Sequence, residues 1–245
     1  MTVKSKSPFV VMSVIVLATL FIFSAAGVLA ACASANPARQ KQPEETAKHR
    51  FLALGDSYTI GESVAESERW PVQLAAKLKE RGVSISNPHI IAKTGWTTDE
   101  LKRGIEADRP TGNYGLVTLL IGVNNQYRKR SAEQYRAEFR ELLQQAIGYA
   151  GGDAAHVVVL SIPDWGVTPF AVKQGRPNIG AEIDEFNRIN REEAEAAKAH
   201  YVDITPISRE AKDDPTLIAK DGLHPSGKMY SRWVEAALPV LPELK

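Results

Sequence analysis

The sequence predicts an α/β fold: one domain built around a five-stranded parallel sheet with helices on both faces. Two features of the chain order carry this. From Arg50 onward, short apolar runs alternate with stretches of helical spacing, the pattern that lays parallel strands side by side through helical crossovers. The third and fourth runs, 116–121 and 156–161, are almost continuously apolar, as strands buried on both faces are. A third observation is compositional: the 245 residues are 44% hydrophobic and 24% charged, the balance of a globular domain and not of a disordered or fibrous chain.

Ahead of that domain the chain is a different material. Lys4 and Lys6 precede an almost wholly apolar segment, 9–29, followed by small residues up to Cys32. That is the layout of a secretory signal peptide, although a stretch of this length also suffices to cross a bilayer as an uncleaved helix. Leu29-Ala30-Ala31-Cys32 resembles the lipobox of bacterial lipoproteins, in which the cysteine is lipidated and becomes the new N-terminus. The resemblance implies a signal peptide over 1–31, a lipid anchor on Cys32, and an extracytoplasmic location on a bacterial membrane. Cys32 is the only cysteine, so no intramolecular disulfide can form. Residues 32–49, rich in Ala, Pro, Gln, Lys and Glu without apolar periodicity, read as a flexible tether. The folded domain is expected over 50–245.

Within the domain the strands are expected at 51–54, 89–92, 116–121, 156–161 and 201–204. The first helix runs from Pro71, a residue suited to a first turn, to about Arg81, where Gly82 follows as a stop. After the third strand, Ser131 and Gln134 match a capping box, and Tyr135, Phe139, Leu142, Leu143, Ala146 and Ile147 keep helical spacing up to Gly151-Gly152. Two further helices follow, at about 181–199, dense in Glu, Arg and Ala, and from near Ser226 to about Pro239.

Charge excludes one class of partner. The formal net charge is +1, and Lys4 and Lys6 lie outside the expected domain, which is therefore slightly acidic. A nucleic-acid binder would present a basic stripe, and the single short run Arg128-Lys129-Arg130 is too brief to make one.

Ligands of open α/β sheets sit at the carboxyl ends of the strands, so reactive side chains are sought there. Gly55-Asp56-Ser57-Tyr58 follows the first strand and presents a serine at the sheet edge, although the same residues also make a good turn and helix cap. Asp221-Gly222-Leu223-His224-Pro225 lies between the fifth strand and the last helix, on the same edge. A serine nucleophile needs a base, and an imidazole base needs a carboxylate on its other nitrogen. With two residues between them, Asp221 can reach the His224 ring locally. The order Ser, Asp, His is that of α/β-hydrolases, yet no Gly-x-Ser-x-Gly elbow surrounds Ser57.

Gly55-Asp56-Ser57, an isolated glycine after the second strand, Gly-x-Asn after the third and Asp-x-x-His near the C-terminus resemble the ordered blocks of the GDSL, or SGNH, hydrolases. The resemblance extends from Phe51 to about Leu238. It implies a three-layer α/β/α sandwich with a five-stranded parallel sheet, and a serine ester hydrolase that needs no cofactor. Carried over block by block, Ser57 is the nucleophile, Asp221 and His224 form the acid-base pair, and the oxyanion hole is made by the backbone N–H groups of Ser57 and Gly95 with the side-chain amide of Asn124. Gly95 before Trp96 is equally a helix-entry turn. The family often has aspartate after the block-three asparagine, whereas this chain has Asn125, which leaves open how that loop is held.

Other candidates have plainer readings. His89 and His156 open strands, His200 closes a helix, and His49 falls in the tether; no pair has metal-ligand spacing with a third ligand nearby, so no metal is inferred. Ser161 ends a strand without an Asp-x-x-His partner and reads as a cap. Tyr127 and Arg128 after the third strand, with Asp164, Trp165 and Phe170 after the fourth, either line an acyl or alcohol pocket or pack the loops. Asp221 has better reach to His224 than Asp164. Three functions stay in view: hydrolysis of short-chain acyl or O-acetyl esters on a small molecule or carbohydrate; acyl transfer or lysophospholipid hydrolysis on the same fold; and a non-catalytic binding module.

Overall fold

The computed structural model describes residues 47–244. The expected signal peptide, most of the tether and Cys32 lie outside the described residues. In chain order the elements are β1 (His49–Gly55), α1 (Ser57–Ile60), α2 (Trp70–Glu80), β2 (Ile85–Ala92), α3 (Thr98–Asp108), β3 (Leu116–Leu120), α4 (Val123–Tyr127), α5 (Ala132–Tyr149), β4 (Val157–Leu160), α6 (Pro169–Gln174), α7 (Ile179–Ala196), β5 (His200–Val202), α8 (Thr205–Arg209) and α9 (Gly227–Ala237). The five strands form one sheet in the order β2-β1-β3-β4-β5, parallel throughout, with Leu54 set between Ile91 and Leu119, Thr118 beside Val158, and Val159 beside Tyr201.

The strand order fixes the layers. The step from β1 to β2 runs one way across the sheet and every later step runs the other way. Right-handed crossovers therefore put α2 on one face and α3, α5 and α7 on the other. The contacts agree: α2 packs on α9 and β2, while α3, α5 and α7 pack in a row against one another. Covered on both sides, β3 and β4 bury every residue, and Leu116, Val117, Leu119, Val157, Val158 and Val159 are wholly inaccessible. At about 25 cal/mol per Å² of apolar surface removed from water, this central slab is the main favourable term holding the strand ends in place.

All five expected strands are present, with shifted ends. β1 begins at His49, so His49, expected in the tether, belongs to the sheet. β2 begins at Ile85, well before 89, and runs through Pro88, which pairs with Phe51. Proline breaks a central strand, but β2 is an edge strand with one side unpaired. The Ser131 cap is half of a box: Ser131 Oγ accepts from Gln134 N at 3.2 Å, while the Gln134 amide turns to Glu138 at 2.7 Å. α3 is not among the expected helices, although Glu100 closes its first turn, Oε2 accepting Thr97 N at 2.9 Å and the Thr97 hydroxyl at 3.0 Å. Its apolar face is only Leu101 and Ile105, too narrow a stripe to stand out.

Candidate active site

The sheet's order reverses around β1, and the crevice outside the carboxyl ends of β1 and β3 is the topological switch point where such sheets bind ligands. Ser57 leaves β1, Gly95 lies after β2, and Asn124 lies after β3. All three line one cavity of about 200 Å³ together with His224, Tyr58, Thr94, Val123, Tyr127, Trp165, Phe170 and Leu223.

Ser57 is the first residue of α1, whose N-cap Asp56 accepts the Tyr58 N–H at 3.1 Å. The first N–H groups of a helix have no partner within it, so the Ser57 N–H is free to face the cavity. Asp221 and His224 come from the loop between β5 and α9. His224 Nδ1 lies 2.6 Å from Asp221 Oδ2. The other carboxylate oxygen, Oδ1, accepts the backbone N–H groups of Leu223 at 2.9 Å and His224 at 3.0 Å. Burial opposes ionisation of Asp221, but hydrogen bonds from Ser63, the His224 ring and these two amides outweigh it and hold the carboxyl at about 2. An ionised carboxylate only accepts, so Nδ1 carries the proton and Nε2 is the nitrogen left with a lone pair. Tyr58 packs edge-on against the ring, centroids 5.6 Å apart. Among the described residues no hydrogen bond joins Ser57 to His224. Such bonds are often long in free enzymes and tighten with substrate.

The second and third blocks are braced against each other. Gly95 has φ +84°, a left-handed conformation that glycine adopts without steric cost, and its carbonyl accepts Arg128 Nη2 at 2.7 Å. Asn124 Nδ2 donates one proton to Trp96 O at 2.9 Å, which fixes the amide and leaves its second N–H available. Gly122, at φ +129°, lies where a Cβ would run into the Tyr135 hydroxyl. Asn125 answers the question its position raised. It is wholly buried, accepts Thr98 N at 3.1 Å and donates to Thr98 Oγ1 at 2.7 Å. It thereby caps α3 and ties the Asn124 loop to the Gly95 loop. Its amide also faces Glu138 Oε2 at 3.4 Å, where an aspartate would set two carboxylates together.

Of the residues singled out around the site, Tyr127, Trp165 and Phe170 form an aromatic wall, with centroids 5.5 to 6.5 Å apart. Arg128 is not part of that wall; it braces Gly95 and pairs with Glu100 at 3.2 Å. Asp164 is buried in a pair with Arg209 at 2.9 Å. Ser161 accepts the amides of Ile204 and Thr205, the capping role its place at a strand end suggests. No local pattern marks Ser63 or Glu62, which reach Asp221 and Thr94 respectively; these contacts join segments far apart in the chain. Among the described residues no group of three or more His, Cys, Asp or Glu is placed to hold a metal ion.

Comparison with known proteins adds family and fold. The pattern of the GDSL-like lipase/acylhydrolase family matches residues 53–232, whereas no curated protein matches by sequence. Among solved structures, TesA is 20% identical over 80% of this chain and 99% of its own, with a TM-score of 0.63. A lipolytic protein of the G-D-S-L family from Veillonella parvula is 18% identical over 80% and 99%, with a TM-score of 0.61. Axe2, an acetylxylan esterase from Geobacillus stearothermophilus, is 20% identical over 79% and 94%, with a TM-score of 0.59. The family match takes in the Ser57, Gly95, Asn124 and His224 segments within one all-parallel α/β/α sandwich: the chain belongs to the GDSL-like lipase/acylhydrolase family and is a carboxylic ester hydrolase.

Proposed function

We propose that the chain hydrolyses short-chain acyl or O-acetyl esters through an acyl-enzyme on Ser57. The observation that carries this is the Asp221–His224 bond at 2.6 Å, made by a ring that lines the same cavity as Ser57. In this reading Ser57 Oγ attacks the ester carbonyl carbon as its proton passes to His224 Nε2. Asp221 keeps Nδ1–H in place and stabilises the charged ring. The carbonyl π pair moves onto oxygen, facing the N–H groups of Ser57, Gly95 and Asn124 Nδ2. The carbon–oxygen bond to the alcohol then breaks, and the alcohol departs with the proton from His224. Water repeats the sequence on the acyl-enzyme, releasing the acid and restoring Ser57.

Cavity size and lining support small acyl groups. A volume of about 200 Å³ lies below the roughly 300–1,000 Å³ of typical small-molecule sites. The aromatic wall suits the flat apolar face of a sugar ring or a short alkyl group, and the acetylxylan esterase of similar fold bears such a substrate in its name. A lipid anchor on Cys32 and an extracytoplasmic location complete the proposal.

The test combines labelling with kinetics. Ser57→Ala is expected to lose both fluorophosphonate labelling and turnover. Asn124→Ala is expected to keep labelling and lose about 10²–10³ in kcat with a much smaller change in KM, as removal of one oxyanion donor does. Acetate and butyrate esters are expected to give higher kcat/KM than long-chain esters. A folded, fully active Ser57→Ala would refute the mechanism, and a preference for long acyl chains would refute the substrate class.

A further inference from the structure

Ser63 lies in the loop after α1, far from Asp221 in sequence, yet its Oγ–H donates to Asp221 Oδ2 at 2.7 Å. That oxygen also receives His224 Nδ1–H, while Oδ1 receives two backbone amides. Four donors therefore surround the carboxylate, and Ser63 supplies the fourth. Ser63 holds φ +67°, a left-handed conformation uncommon for residues other than glycine, asparagine and aspartate; such strain persists only where the surroundings impose it. The surroundings here are specific. Gly61 N and Glu62 N both donate to Ser57 O at 3.0 Å, and the Glu62 carboxylate accepts the Thr94 hydroxyl beside Gly95. Two adjacent side chains thus reach Asp221 and the cavity-lining Thr94 from a loop bonded to the Ser57 carbonyl.

We propose that Ser63 is a positioning residue for ester hydrolysis: its hydroxyl completes the donor set of Asp221 and so moderates how strongly that carboxylate draws on the His224 ring. The inference rests on the reading of Asp221 and His224 as the acid-base pair. A donor on a carboxylate spreads its charge. Removing Ser63 Oγ leaves Asp221 Oδ2 to the ring alone, so the carboxylate stabilises the protonated ring more strongly. The base then gives up its proton only at higher pH, and the acid limb of the kcat/KM profile moves upward. The other ionisable groups facing this pair are Asp56 and Tyr58 at α1, Glu62 on the same loop, Asp164 with its partner Arg209, and Tyr230 on α9. The Ser63 hydroxyl bonds Asp221 and none of these groups.

The experiment measures kcat/KM against pH for wild type, Ser63→Ala, Ser63→Gly and Asp221→Asn, with circular dichroism on each. Both Ser63 variants lose the hydroxyl, but only glycine also relieves the backbone strain, so agreement between them isolates the hydrogen bond. Ser63 is exposed and water can reach the vacated oxygen, so the expected effect is moderate: an upward shift of the acid limb by about half a pH unit to one unit. An acid limb that stays in place or moves down in either folded variant overturns the proposal, whether or not kcat falls. Asp221→Asn separates the two readings. If it is crippled while the Ser63 variants match wild type, Ser63 alone is excluded; if it is fully active, the acid-base assignment itself fails.

Discussion

Asp56 is wholly buried next to Ser57 in the chain, and only one of its carboxyl oxygens has a partner: Oδ1 accepts Tyr58 N, while Oδ2 has none. Burial raises its pKa from 3.8 to about 7 against the pull of backbone N–H groups. In the unfolded chain the carboxyl ionises near its ordinary value, whereas in the fold it keeps its proton up to about 7. Between those limits the folded state binds more protons, so stability falls as pH rises through the window and levels off above it, with a slope of at most about 1.4 kcal/mol per pH unit. Asp56→Asn keeps an oxygen for the Tyr58 N–H and never ionises. Urea unfolding at pH 5 and pH 8 is expected to show the variant gaining on wild type as pH rises, by on the order of a few kcal/mol. An identical stability difference at the two pH values would show that Asp56 is ionised in the fold throughout.

The secondary elements matter to the site mainly through their ends. Asn125 on α4 caps α3, and Asn124 beside it bonds Trp96 O, so the two loops that carry the proposed oxyanion donors form one unit. Asn125→Ala would leave Thr98 N–H and Oγ1 buried without that partner, at about 1–3 kcal/mol. Thermal melts should register that loss and kcat should fall alongside; a variant matching wild type in both would mean that α3 holds its position by packing alone. How far the sequence carried the reading follows from which contacts are local. Buried parallel strands such as Leu116–Leu120 and Val157–Leu160 declare themselves by unbroken apolarity, and Asp221 reaches His224 across two residues. The extension of β2 through Pro88 depended on its being an edge strand, a fact of sheet order that no local pattern contains. Ser63 and Asn125 take their partners 158 and 27 residues away, and only tertiary structure brings those pairs together.

At the scale of the molecule, the chain enters the sheet and acts at opposite ends of it. His49 opens β1 at the amino-terminal edge, while Ser57 follows the carboxyl end of the same strand, roughly 20 Å further on at about 3.3 Å per residue. Among the described residues no helix is long and apolar enough to cross a membrane; the attachment in the proposed function is the lipid on Cys32. About fifteen residues separate Cys32 from Ala47, a contour of no more than about 50 Å. Two acyl chains give the stable attachment that one does not. A fatty-acid probe is therefore expected to label wild type and not Cys32→Ser, and the unlabelled variant should keep its kcat/KM on water-soluble esters. Equal labelling of both proteins would remove Cys32 as the anchor. Loss of activity on soluble esters, in a variant that folds, would instead show that the cavity depends on the group carried by Cys32.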